Sequence, residues 1–299
     1  MDDIVIRTEN LEYVYQKGMP FESAALTGVN ISIKRGSFTA IIGHTGSGKS
    51  TLVQHFNALI KPPPGRIFID GEDISSAEPK KLRMKVGMVF QYPEHQLFEE
   101  TVYKDIAYGP VNMGLAEDEI NGRVIEAARL TGLGEDVLDR SPFELSGGQK
   151  RRAAIAGVIA MRPSVLILDE PAAGLDPAGG REIMTGIRRI HSETPGMTVV
   201  FVSHSMEDVA GIADNVIVMN KGTAAMTGSV DEIFSHSEEL AGMGLAVPEV
   251  TRVTDILRAR GVDIPAGIYT VEAAADAVCR ILGDRLPGRR QDRGGKYAE

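Results

Sequence analysis

Phe38-Thr39-Ala40-Ile41-Ile42 runs directly into Gly43-His44-Thr45-Gly46-Ser47-Gly48-Lys49-Ser50-Thr51, and Leu52–Leu59 continues with helical periodicity. The first five residues predict a buried strand and Lys49–Leu59 a helix. The loop between them fits G-x-x-x-x-G-K-[ST]. Its glycines let the backbone curl so that several N–H groups turn inward toward an anion. The helix start adds partial positive charge. Lys49 is then placed to reach the β- and γ-phosphates of a nucleoside triphosphate, and the Ser50 hydroxyl to ligate Mg²⁺. A glycine-rich turn of no chemical consequence does not require Lys followed by Ser at a helix start.

A second stretch answers the first. Val165-Leu166-Ile167-Leu168-Asp169-Glu170 puts two carboxylates at the C-terminal end of an apolar strand, the edge at which open α/β sheets bind ligands. Asp169 suits a Mg²⁺ ligand acting through water, and Glu170 suits a base that polarises an attacking water. Alternation along a strand sends the two side chains different ways. Taken alone, the pair reads equally as a solvated strand end or a helix cap. Beside a phosphate loop, the metal-and-base reading prevails.

Between these motifs the chain alternates strands and helices. Strands are expected at Ile4–Arg7, Phe38–Ile42, Val86–Phe90, Val165–Leu168, Val199–Val202 and Val216–Met219. Helices are expected at Lys49–Leu59, Glu117–Leu130, Gly148–Met161, Gly179–His191 and Ser205–Ile212. Continuous apolar strands suit a parallel sheet covered on both faces, so the class is α/β, doubly wound, with extra antiparallel strands on the N-terminal side. After about residue 239 the texture changes, and Val250–Ala259 and Val271–Leu282 read as amphipathic helices of a small helical region ending near residue 286. Residues 287–299 are polar and Arg-rich and are expected to be disordered.

Composition narrows the classes. The chain has 299 residues with 43% apolar content, enough for one large domain and a small one. Its formal net charge of −9 and lack of Trp argue against a nucleic-acid partner, which needs basic and stacking surfaces. No apolar run is long enough to span a bilayer, and Met1-Asp2-Asp3 lacks the layout of a signal peptide. The one cysteine, Cys279, makes an intrachain disulfide impossible and is expected to pack on an apolar helix face.

Leu145-Ser146-Gly147-Gly148-Gln149 opens another helix, and Ser146 with two glycines makes a second anion-binding helix start. With the loop at 43–51 (Walker A), the strand at 165–170 (Walker B), Gln91, Asp176 and His204 in this order, the chain resembles the ATP-binding-cassette (ABC) ATPases over nearly all of residues 1–235. The resemblance implies a P-loop NTPase core with an antiparallel β subdomain and an α-helical subdomain at about 92–160, within a nucleotide-binding domain of residues 1–239. It implies ATP and Mg²⁺ as ligands. It also implies that Leu145–Gln149 of one subunit contacts the γ-phosphate held by Walker A of another. By position, Tyr15 is similar to the aromatic that stacks on adenine, with Tyr13 its rival. Gln91 is similar to the glutamine that senses Mg²⁺ and water, making Ser50, Gln91 and Asp169 the implied Mg²⁺ set. Asp176 matches the aspartate that crosses the dimer interface, and His204 the histidine that contacts the γ-phosphate. The remaining histidines read as structural. One departure is Ala172 after Pro171, where similar proteins often carry Thr.

Further stretches narrow the resemblance to the ATP-binding subunits of energy-coupling factor transporters. They are Gly87–Phe98, Thr101-Val102, Asp105, Gly109-Pro110, Asn112, Ser141–Ser146 and Lys150–Gly157, with the longer loop Gln16–Ala25. That likeness implies ATP hydrolysis driving uptake of vitamins or transition-metal ions. The partners it implies are a second ATPase subunit (a paralogue or another copy), a membrane scaffold and a substrate-binding membrane protein, with this chain peripheral at the cytoplasmic face. The helical region 240–286 is expected to dimerise. Gln96–Thr101, with Leu97 and Phe98 apolar and Glu99 and Glu100 acidic, is expected to receive the scaffold. A conventional importer or exporter ATPase, a soluble ATPase and a regulatory nucleotide binder stay open as alternatives.

Overall fold

The computed structural model describes residues 3–285, so the tail from 287 lies outside the described residues. The chain divides into two compact units, Met1–Ile233 and Phe234–Glu299, against a sequence-based boundary after 239. In chain order the strands are β1 (Ile4–Tyr15), β2 (Ser23–Lys34), β3 (Phe38–Ile42), β4 (Ile67–Ile69), β5 (Glu72–Asp73), β6 (Val86–Val89), β7 (Val165–Asp169), β8 (Thr198–Val202), β9 (Asn215–Asn220) and β10 (Thr223–Ser229). The helices are α1 (Lys49–Phe56), α2 (Pro79–Lys85), α3 (Val102–Asn112), α4 (Glu117–Thr131), α5 (Gly147–Ile159), α6 (Pro177–Glu193), α7 (Met206–Ile212), α8 (Val230–Ser235), α9 (Ser237–Gly242), α10 (Glu249–Ala259) and α11 (Val271–Arg285).

Every residue of β3, β7 and β8 is buried, as expected of strands covered on both faces. They are the centre of a six-stranded sheet ordered β10-β9-β3-β8-β7-β6, parallel except for β10. β8 therefore lies between the strand that feeds the phosphate loop and the strand that ends in the two carboxylates. Its Val202 pairs with Ile41 on one side and Asp169 on the other. On the far side of β7 sits β6, which leads to Gln91. Strand order alone thus brings four sequence-distant segments to one sheet edge.

The second sheet, β2-β1-β4-β5, is antiparallel. One buried cluster joins Leu11, Leu26, Val29 and Ile33 of this sheet to Leu52, Val53 and Phe56 of α1 and to Ile41, Val200 and Ile217 of the larger sheet. Phe56 is fully buried, and its truncation to Ala is expected to cost about 3–5 kcal/mol. The phosphate-loop helix is thereby anchored from both sides.

Several elements differ from expectation. β1 reaches Tyr15 rather than Arg7, because side chains satisfy the backbone where the apolar pattern lapses: Thr8 Oγ1 donates to the Val29 carbonyl and Asn30 Oδ1 accepts from Asn10 N–H. α1 ends at Phe56 rather than Leu59, since Ala58 takes φ +52° and Asn57 Oδ1 accepts from Leu59 N–H. α3 forms in spite of Gly109-Pro110: Thr101 caps its start, accepting from Lys104 N–H at 3.2 Å, and the proline falls in the last turn.

In the second unit, Ile264, Ile268 and Ala277 form a small core with Leu257, Val262, Ala274, Val278 and Ile281. Thr251 Oγ1 donates to the Ile268 carbonyl at 2.8 Å. Cys279 is exposed, not packed as expected: the apolar face of α11 runs through Ala274, Ala277, Val278 and Ile281 and leaves position 279 outside it. No helix among the described residues is long and apolar enough to cross a membrane.

Candidate functional site

The loop Gly43–Gly48 links β3 to α1. Gly48 takes φ +100°, and a Cβ there would meet the Ala25 carbonyl oxygen at 2.5 Å, so only glycine fits. α1 has no side-chain cap on its first turn, which leaves the helix-start N–H groups free for an anion. Ser47 is fully buried, and its Oγ finds no hydrogen-bond partner among the described residues. Lys49 lies back over the loop, its Nζ donating to the Gly43 carbonyl at 2.7 Å and the His44 carbonyl at 3.0 Å. Burial lowers the Lys49 ammonium from its ordinary value, against the opposing pull of Glu170 and Asp169. His44 Nδ1 lies 2.8 Å from the Thr45 carbonyl, while Thr45, Gly46 and Thr51 complete the loop and first turn.

Ser50 Oγ donates to Asp169 Oδ1 at 3.3 Å, so the hydroxyl after the lysine and the buried strand-end carboxylate face each other. Burial pushes the Asp169 carboxyl above its ordinary range, the Ser50 hydrogen bond opposes this, and the charge of Glu170 adds to the rise. Glu170 itself takes φ +52°, a left-handed conformation uncommon for a residue with a side chain. Its N–H donates to the Val202 carbonyl. Its carboxylate is held at both oxygens: Gln91 Nε2 donates to Oε2 at 2.9 Å and His204 Nε2 is 2.7 Å from Oε1. Gln91, Glu170 and His204, expected from three separate motifs, form one contiguous group.

Hard oxygen donors at 50 and 169, with the Gln91 amide bonded to the neighbouring Glu170, suit Mg²⁺, which takes one or two protein oxygens plus phosphates and water. Among the described residues no group of three or more His, Cys, Asp or Glu is placed to hold a metal ion.

Tyr15 is 39% exposed, and its hydroxyl lies 3.2 Å from Thr51 Oγ1 on α1. Tyr13 packs edge-on against both Tyr15 and the buried His55 and joins the core. Of the two aromatics, Tyr15 is the more exposed.

The second glycine-rich helix start is closed where the first is open. Ser146 Oγ accepts from Gln149 N–H, and Gln149 Oε1 accepts from Ser146 N–H, forming a capping box on α5. Leu145 is buried, whereas Ser146 and Gly147 are exposed and a Cβ on Gly147 or Gly148 would meet nothing within 4 Å. Asp176 likewise caps α6, accepting from Ala178 and Gly179 N–H, which holds its carboxyl below the ordinary range. These two motifs are brought to the surface rather than to the Glu170 group.

Sequence reasoning missed Arg151, the largest fully buried side chain. The signal was available: positions 151, 155 and 159 lie on one buried stripe of α5, and the first of them is an arginine. Two of the other histidines sit against backbone carbonyls, His55 Nδ1 2.7 Å from that of Thr51 and His191 Nε2 3.0 Å from that of Gly36.

Comparison with known proteins agrees with this geometry. Residues 26–173 match the ABC transporter family. The chain is 52% identical to the energy-coupling factor transporter ATP-binding protein EcfA2 of Caldanaerobacter subterraneus over 279 residues, covering 93% of this chain and 97% of the relative. It is 54% identical to the protein of the same name from Clostridium acetobutylicum over 280 residues, covering 93% and 98%. Among solved structures, cbiO1 from Clostridium perfringens, part of the ABC transporter complex cbiONQ, superposes with a TM-score of 0.73 at 43% identity over 86% of this chain and all of that one. A dimeric ATP-binding cassette, MJ0796 bound to ADP and Pi, gives a TM-score of 0.66 at 28% identity over 75% of this chain and 98% of that one. The chain belongs to the ABC transporter family of ATPases, within the energy-coupling factor transporter ATP-binding proteins.

Proposed function

We infer that this chain is the ATP-binding and ATP-hydrolysing subunit of an energy-coupling factor transporter, and that it works in a composite site shared with a second ATPase subunit, a paralogue or another copy. The observation that carries the reading is Glu170, clasped by Gln91 and His204 at the same sheet edge as the open phosphate loop.

In this reading the loop N–H groups and Lys49 bind the triphosphate, exchanging the Gly43 and His44 carbonyls for phosphate oxygens. Tyr15 stacks on adenine. Ser50, Asp169 and Gln91 would hold Mg²⁺, which neutralises phosphate charge when bound. Glu170 orients the water for in-line attack, and His204 contacts the γ-phosphate. Leu145–Gln149 and Asp176 face the partner subunit, Ser146 and Gly148 meeting the γ-phosphate that the partner's loop holds. Loss of that phosphate on hydrolysis removes the charge that joins the subunits.

The further partners are a membrane scaffold, received at Gln96–Thr101, and a membrane protein that binds the cargo, a vitamin or a transition-metal ion. The chain sits peripherally at the cytoplasmic face, and the helical unit from 240 to 286 supports subunit pairing. Affinity purification of the chain from native membranes, with mass spectrometry of its companions, tests this. Recovery of a second ATPase with a scaffold and a small cargo-binding membrane protein is expected. Recovery of a conventional permease instead would overturn the transporter assignment while leaving the ATPase reading intact.

A further inference from the structure

Arg151 lies one turn into α5, just past the signature residues, and only 2% of its side chain is exposed. Four of its N–H donations are made inside the protein. Nε and Nη2 grip both oxygens of Glu94, at 3.0 and 2.7 Å. Nη1 donates to the Pro171 carbonyl at 3.1 Å and to the Ala173 carbonyl at 2.8 Å. Burial raises the Glu94 carboxyl, but the Arg151 hydrogen bonds and charge outweigh it and hold the group below its ordinary range.

The three bodies so joined are the start of the signature helix, the short turn Pro93–Gln96 that follows Gln91, and the loop that follows Glu170. Two further contacts hold the last two together: the Gln91–Glu170 hydrogen bond, and the Tyr92 ring seated on Gly174, where a Cβ would stand 3.0 Å from the ring. Tyr92 takes φ +56° to reach this place. A buried ion pair is a poor source of stability, since well-packed apolar residues often do as well. Lysine has no planar fork with which to grip a carboxylate and two carbonyls at once. What the arginine supplies is registry among three segments.

We propose that Arg151, through Glu94, is a positioning residue that locks the turn after Gln91 and the loop after Glu170 to the signature helix, so that a shift of any one moves the other two. This rests on the reading of Glu170 as the base. The clamp's four hydrogen bonds join Arg151 to Glu94, Pro171 and Ala173 and include no atom of the phosphate loop, α1 or Tyr15, so nucleotide binding is expected to be spared when the clamp is cut.

The test uses the intact complex with its membrane partners in lipid vesicles. Arg151→Lys and Glu94→Gln are each expected to lower kcat about tenfold while KM and ATP affinity, read with a fluorescent ATP analogue, stay within about threefold. The double variant is expected to be no worse than the poorer single one, as for two ends of one clamp. Arg123→Lys, which alters another arginine–glutamate pair on α4, is expected to leave kcat unchanged. Unchanged kcat in Glu94→Gln, multiplying effects in the double variant, or a parallel loss of ATP affinity overturns the clamp. Should Arg151→Lys fail to fold, Glu94→Gln decides alone by the same split between kcat and affinity. Glu170→Gln is run alongside, and normal turnover there sinks the base assignment. Lost turnover in Glu170→Gln together with unchanged turnover in Glu94→Gln sinks only the clamp.

Discussion

His204 Nε2 stands 2.7 Å from Oε1 of Glu170, so a residue two past the end of β8 and the residue after β7 meet across one strand spacing. With Gln91 on the other oxygen, both oxygens of the carboxylate are engaged. Glu170→Gln keeps the shape but removes the proton acceptor. Turnover is expected to fall about 10²–10⁴-fold with ATP binding retained, and ATP-loaded dimers should accumulate. Phosphate release and size-exclusion chromatography with ATP check this. His204→Ala is expected to lose about 10²-fold through the missing phosphate contact.

The two tyrosines of β1 are expected to separate cleanly. Tyr15→Ala removes the exposed ring and should weaken ATP by about 1–3 kcal/mol, read by calorimetry. Tyr15→Phe keeps the ring and loses only the hydroxyl contact to Thr51, a change of about 0.5–1.5 kcal/mol at most. Tyr13→Ala should instead lower the melting temperature, because Tyr13 packs on the core and on His55. If Tyr13→Ala were the variant that lost nucleotide with the fold intact, the adenine assignment would pass to it.

Asp169 gives a pH test with a definite sign. Its folded pKa is raised by burial, so at neutral pH its charge is held less favourably in the fold than in the unfolded chain. The penalty is present above the folded pKa and is relieved as pH falls through it. Asp169→Asn should therefore raise the nucleotide-free melting temperature at pH 7, with the gain shrinking toward acid pH, while Mg²⁺-dependent hydrolysis is lost. A melting temperature at pH 7 that drops in the variant would contradict this account.

Gly174 and Gly186 form a matched pair. Gly174 takes φ +75° beneath the Tyr92 ring, so Gly174→Ala is expected to cost about 1–3 kcal/mol of stability. Gly186 lies within α6 with nothing near an added Cβ, so Gly186→Ala should stabilise by about 0.5–1 kcal/mol. Urea unfolding of both variants measures the contrast, and similar effects at the two positions would remove the special role of the Tyr92 seat.

What could be read from the sequence was what local pattern dictates. Phe38–Ile42 and Val165–Leu168 declared themselves because strands buried on both faces leave no polar gap. The phosphate loop did so because its chemistry is contiguous. Elements held by long-range bonds did not: β2 pairs along β1 through bulges, and α3 outlasts a proline because Thr101 fixes its start. Arg151 was hidden for the same reason. In the run Lys150-Arg151-Arg152 only the helical spacing to Ile155 and Ile159 singles out position 151, and its partners lie 57 and 20 or more residues away. Cys279 went the other way, since the apolar periodicity of α11 does not say how wide its buried stripe is or where it ends.

Interposing β8 between β3 and β7 also sets a ruler. Two strand spacings, about 9.5 Å, separate the axis that leads to Lys49 from the axis that ends at Glu170. Side chains close that gap: the Ser50 hydroxyl reaches Asp169 Oδ1 at 3.3 Å, and the charges of Asp169 and Glu170 act on Lys49. The interposed strand therefore keeps the cation and the carboxylates on separate backbones, so a change in sheet twist alters their spacing without breaking either loop.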